Sequence, residues 1–263
     1  MLTMRDFITD QRLHKALDEV ESWLGYVVPA FPMPLEIQKK SLCRMRLNKE
    51  TRLYELLFIK EEPQNQATYC HELAHLVIWL NGAVTRYDFL DPIPMALYHQ
   101  TPYIRHFLET IWEYMQHVPT FELVKDLGYD EGPSYAPVVT DLIKLIRQGQ
   151  LFPVIDAISF DPQQDQIRCQ ASALVQGLAL PMAEETRCAL RKIAAERLPQ
   201  SLELADAILA ALGPRSLLGP QEYLEYLLEI YHIAGLPRAD LRPSFVDKTD
   251  PNFRSRILAV AKL

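Results

Sequence analysis

The residues best suited to chemistry are His71 and His75, four apart, with Glu72 directly after the first, in Tyr69-Cys70-His71-Glu72-Leu73-Ala74-His75-Leu76-Val77. On a helix, an i, i+4 pair leaves the same side one turn apart, so two imidazole nitrogens can reach one metal ion. Glu72 falls about 100° round the helix, where its carboxylate suits a water on that ion better than the ion itself. A metal with its water would give partners to two histidines and a carboxylate that a buried helix must not leave unpaired. Backbone carbonyls for the histidines and an arginine for Glu72 would meet the same need without a metal.

A catalytic zinc site takes three protein ligands and leaves the fourth place to water, so a third ligand is required downstream. Asp88 and Asp91 lie in Thr85-Arg86-Tyr87-Asp88-Phe89-Leu90-Asp91-Pro92, read as a loop, and Asp88 is one candidate. The better one lies on the next helix, predicted from Pro102 to about Val118. Ile104, Phe107, Leu108, Ile111, Met115 and Val118 form its apolar stripe. Glu109 sits at the edge of that stripe and is the expected third ligand. Glu113, in the middle of the polar face, is the alternate ligand or a partner of one. His117, before Pro119, is a further candidate whose position also suits a helix cap. Cys70 points about 100° away from His71 and reads as core.

These residues need elements to hold them. The stretch from Gln64 to Leu80 predicts a helix, preceded by Pro63 and closed by Asn81-Gly82. It is apolar nearly all round, which marks it as buried. Before it, Asp10 to Leu24 carries Leu13, Leu17, Val20 and Leu24 at helical spacing and ends at Gly25. Pro29, Pro32 and Pro34 then force an extended connection. Leu42–Leu47 and Leu53–Ile59, around Asn48-Lys49-Glu50-Thr51, predict a β-hairpin. The unbroken Leu56-Leu57-Phe58-Ile59 suggests that the second strand is covered on both faces. Gly128 to Pro137 reads as a linker. Beyond it the signals are helical: Val138–Arg147, a helix opened by Asp161-Pro162, Pro181–Arg197, Ser201–Leu212 and Pro220–Ala234. The aromatic stripe Tyr223, Tyr226, Leu227, Ile230 and Tyr231 suits core packing better than a partner groove. The mildly basic tail from Arg238 onward reads as solvated.

At 263 residues and 49% hydrophobic, the chain can bury a large core as one domain or two. A net charge of −7 with no dense Lys/Arg cluster argues against a nucleic-acid partner. Cys43, Cys70, Cys169 and Cys188 form no Cys-x-x-Cys pair and suit reduced thiols. With no apolar signal core and no membrane-spanning run, the expectation is a cytoplasmic protein without a membrane partner.

His71-Glu72-Leu73-Ala74-His75 resembles the active helix of the zincin metallopeptidases, over roughly residues 40 to 120 of this chain. The resemblance implies that the two histidines bind zinc and that Glu72 is the general base. It also implies an oxyanion donor, for which Tyr87, Tyr98, His99, Tyr103, His106 and Tyr114 are all possible. The order of a helix, strands and the H-E-x-x-H helix is similar to zincin cores, where an edge strand beside the metal pairs with extended substrate. Arg52 to Ile59 takes that place here; the alternative is a small sheet that only covers the helix. The metzincin extension would require Gly at 78 and His at 81, where Ile78 and Asn81 stand. A glutamate such as Glu109 on a later helix is similar to the gluzincin arrangement, although the fourth position after it holds Glu113 rather than Asp. Regulatory and immunity-type bacterial metallopeptidases share this logic.

The expected architecture is α+β and mainly α. A zincin-like domain with a small β-sheet covers residues 1–130, and a helical domain covers residues 131–263. The expected function is zinc-dependent hydrolysis of a peptide or protein substrate, with His71, His75 and Glu109 as ligands and Glu72 as base. The alternative is a non-catalytic helical regulatory or interaction protein with a structural metal site.

Overall fold

The computed structural model describes residues 2–34, 43–48, 50–51, 53–59, 66–80, 84–89, 96, 101–152, 161–212, 220–236, 241–246 and 255–257. These residues are mainly helical, with a small three-stranded sheet near the start of the chain. The chain divides into two compact units. One comprises Met1–Thr85, Pro119–Asp130 and Ser244–Arg256; the other comprises Arg86–Val118, Glu131–Pro243 and Ile257–Leu263. One division thus falls at Asp130–Glu131, inside the stretch that reads as a linker, whereas Arg86–Val118 groups with the later residues.

In the first unit, α1 (Gln11–Leu24) starts where the Asp10 carboxylate accepts the Arg12 N–H, and stops at Gly25 with φ 76°. That left-handed conformation is one glycine adopts without a Cβ penalty. The proline-rich connection then yields a strand that alternation did not reveal, β1 (Ala30–Pro32). The hairpin forms as β2 (Cys43–Leu47) and β3 (Tyr54–Phe58), antiparallel, with Cys43 opposite Phe58 and Leu47 opposite Tyr54. The Asn48 side chain closes it by accepting from the N–H groups of Glu50 and Thr51. β1 pairs with β3 in parallel, so the strand order is β1-β3-β2 and β3 is central. Every residue of β3 is buried, as its unbroken apolar run requires.

Against this sheet lies α2 (Gln66–Leu80), which carries the histidine pair and is buried nearly all round. Gln64 and the Asn81-Gly82 closure lie outside the described residues. Leu73, Leu76 and Leu80 join Leu13, Leu17 and Val20 of α1 and Leu56 of β3 in one core. Gln66 ties the first described turn of α2 to the N-terminal segment: its side-chain oxygen accepts from Thr9 N–H at 2.9 Å, and its amide donates to the Phe7 carbonyl at 3.0 Å. Gln66→Ala removes both bonds and is expected to lower unfolding free energy by about 1–2 kcal/mol in urea titration, at about 1 kcal/mol per bond.

The helix predicted to stop before Pro119 does not stop. α3 runs through it, from Pro102 to Asp126 over 25 residues. Residues Pro119–Asp130 belong to the first unit, where Val124 enters the core beside Leu123 and Leu127.

In the second unit, α4 (Gly132–Arg147) begins within the presumed linker and takes in Pro137. α5 (Pro162–Ala179) is capped by the Asp161 carboxylate, which accepts from Gln164 N–H. α6 (Glu184–Arg197), α7 (Pro199–Leu212) and α8 (Pro220–Ile233) follow. The aromatic stripe of α8 is core: Tyr223, Tyr226 and Ile230 are fully buried. The basic tail is not wholly irregular, since β4 (Val84–Phe89), β5 (Leu241–Val246) and β6 (Ser255–Ile257) form a second sheet in that order. No helix among the described residues is long and apolar enough to cross a membrane.

Candidate metal centre

α2 presents His71 and His75 on one side, as their spacing requires. Their rings meet edge to face with centroids 4.7 Å apart, and the two Nε2 atoms are 3.0 Å apart. Two nitrogens bound to one tetrahedral zinc at about 2.0–2.1 Å would stand about 3.3 Å apart, so the observed spacing suits one shared ion. His71 is buried and His75 partly so, with the Trp79 ring stacked on His75 at 5.6 Å.

The continuation of α3 past Pro119 supplies what α2 lacks. Thr120 places its hydroxyl 3.2 Å from His75 Nδ1, and the Phe121 ring lies 5.9 Å from that of His71. His117, Thr120, Phe121 and Val124 recur at helical spacing along one face of α3. His117 is three residues before Thr120, and a ligand nitrogen from each of His71, His75 and His117 lies within 4.8 Å of the other two.

The outer nitrogens are also arranged for metal binding. His117 Nδ1 lies 2.8 Å from the Glu113 carbonyl, one turn back on the same helix. A proton on Nδ1 serves that bond and leaves Nε2 with a lone pair. The Thr120 hydroxyl can likewise take the Nδ1 proton of His75, leaving its Nε2 directed at that of His71. Three imidazole donors suit zinc, copper, iron or nickel.

No family model matches the chain, and neither a curated protein nor a solved structure matches it.

Of the residues expected from sequence, His71 and His75 converge and Glu109 does not join them. Glu109 is exposed, eight residues before His117. That is about 12 Å along the helix axis and about 80° round it. The stripe edge at Glu109 belongs to a helix ending at Val118, whereas α3 continues and meets α2 through Thr120 and Phe121. Glu113 is also exposed, and its carboxylate accepts from the Gln176 amide at 3.1 Å. Its backbone carbonyl, rather than its side chain, orients His117. Asp88 lies on β4 rather than in a loop; its side chain and Asp91 are outside the described residues.

Glu72 leaves α2 on a different side and is half-buried. Its carboxylate accepts a hydrogen bond from the Met45 N–H of β2. Met45 pairs with Leu56, whose own N–H is given to the Pro29 carbonyl, so Met45 belongs to the outward-facing edge of the sheet. β3, the strand expected to receive extended substrate, is paired on both sides and has no open edge. Of the outer strands β1 and β2, β2 is the one that touches Glu72.

Among the oxyanion-donor candidates, Tyr87 (as a side chain), Tyr98 and His99 lie outside the described residues. Tyr103 and Tyr114 are buried in the second unit. His106 is half-buried and packs on the Phe152 ring at 4.7 Å, and burial holds its pKa below the usual histidine value.

Proposed function

We propose that the chain is a zinc-dependent peptidase whose ligands are His71, His75 and His117 and whose general base is Glu72. The observation that carries this reading is the convergence of three imidazoles, one of them directly followed in sequence by the carboxylate of Glu72. Three histidines leave a fourth position open, which distinguishes catalytic from closed structural zinc sites. Zinc, when held there, supplies Lewis acidity that acidifies water and polarises a carbonyl.

The chain's own residues do the rest. His71, His75 and His117 bind through Nε2, with Thr120 and the Glu113 carbonyl holding two of the rings in register. Glu72 takes the proton of the attacking water and returns it to the leaving amine. Its contact with Met45 sets the base beside the β2 edge, where an extended peptide would align by main-chain pairing.

The same contact favours one rival, in which Glu72 merely ties α2 to the sheet and the metal is structural. Cleavage of a random peptide mixture decides between them. A peptidase cuts it, stops when the metal is chelated and recovers when zinc is returned; a scaffold cuts nothing with zinc fully bound.

A further inference from the structure

His117 stands in the turn of α3 just before Pro119, and a proline within a helix brings no N–H. The carbonyl four residues earlier, that of Met115, therefore loses its usual helical donor. Met115 is fully buried, so water does not readily replace it. The structure provides a replacement from another helix: the Tyr223 hydroxyl on α8 donates to the Met115 carbonyl at 3.1 Å. Tyr223 is itself fully buried, with its ring packed against Trp112 one turn before Met115, at 6.0 Å between centroids. The phenol thus has a fixed approach to this one carbonyl.

We propose that Tyr223 is a positioning residue for the metal centre: by donating to the carbonyl that Pro119 leaves open, it fixes the turn of α3 that presents His117. This rests on the reading of His71, His75 and His117 as metal ligands. Glu113, whose carbonyl orients the His117 ring, and Met115, held by Tyr223, flank the same short stretch of backbone. An unanchored Met115 carbonyl would turn toward another donor and rotate His117 away from its partners.

The test is a zinc titration of the full chain against a chromophoric chelator, using wild type, Tyr223→Phe, Pro119→Ala and the double variant. Tyr223→Phe keeps the ring and removes only the donor, and is expected to weaken zinc binding about tenfold, the low end for residues that orient a ligand. Pro119→Ala restores a backbone N–H facing the Met115 carbonyl. In that background the loss of the phenol should matter less than about twofold, a rescue that a mere packing role of Tyr223 would not show. If Tyr223→Phe alone does not fold, a double variant that folds and binds zinc like Pro119→Ala supports the proposal. A double variant that also fails to fold overturns it. Unchanged zinc affinity in a folded Tyr223→Phe, or an equal loss in both backgrounds, also overturns it while leaving the histidine site intact. A wild type that binds no zinc removes the metal centre and this proposal together.

Discussion

Zinc affinity is expected to fall at least about a hundredfold in His117→Ala and to stay within about twofold of wild type in Glu109→Ala, because loss of a ligand exceeds the tenfold to hundredfold cost of losing its supporting partners. The contrast follows from where α3 places the two residues. His117 shares a face with Thr120 and Phe121, which touch His75 and His71. Glu109 is exposed two turns earlier, about 80° round the helix from His117. Glu113→Ala is an informative control. The orienting group on that residue is its main-chain carbonyl, which alanine retains, so the variant should bind zinc nearly as wild type does. A larger loss in Glu109→Ala or Glu113→Ala than in His117→Ala would return the third ligand to a carboxylate.

Glu72→Gln is the second large effect, and it acts on turnover rather than on binding. The amide keeps the size of the side chain and can still accept from the Met45 N–H, so the link between α2 and β2 survives. It cannot accept a proton from water. Peptide cleavage should therefore fall at least about a hundredfold, the low end for general-base catalysis, with zinc content unchanged. Thermal unfolding read beside the kinetics separates the two roles of this residue. A drop in activity at constant stability belongs to the base. A drop in stability in a chain that never cleaved peptides belongs to the tie between helix and sheet.

Much of the first unit was legible because its signals are local. Asp10 and Gly25 bracket α1, and Asn48 closes the hairpin. The unbroken Leu56-Leu57-Phe58 run marks a strand covered on both faces. The i, i+4 histidines on an apolar helix left little choice about where their rings converge. What could not be read was tertiary. β1 is three residues of a proline-rich connection that becomes a strand only because β3 offers it a parallel edge. Pro119 gives a sound local reason to end a helix, yet α3 continues, and the Met115 carbonyl meets a hydroxyl supplied more than a hundred residues later in sequence.

His117 was hard to read in the sequence for the same cause. With α3 ended at Val118, His117 reads as a cap and the face that matters is judged from Ile104 to Met115. Carried past the proline, the pattern His117, Thr120, Phe121, Val124 is in helical phase and points to His117. That signal was present in the sequence, but using it required a helix that passes through a proline.

The most direct measurement is the metal content of the full chain, made without a polyhistidine tag and dialysed gently before elemental analysis. About one zinc per chain is expected in wild type, with loss of that zinc in the His71→Ala/His75→Ala double variant. Full occupancy surviving in the double variant, or a folded wild type that takes up no zinc when titrated with it, would contradict that expectation.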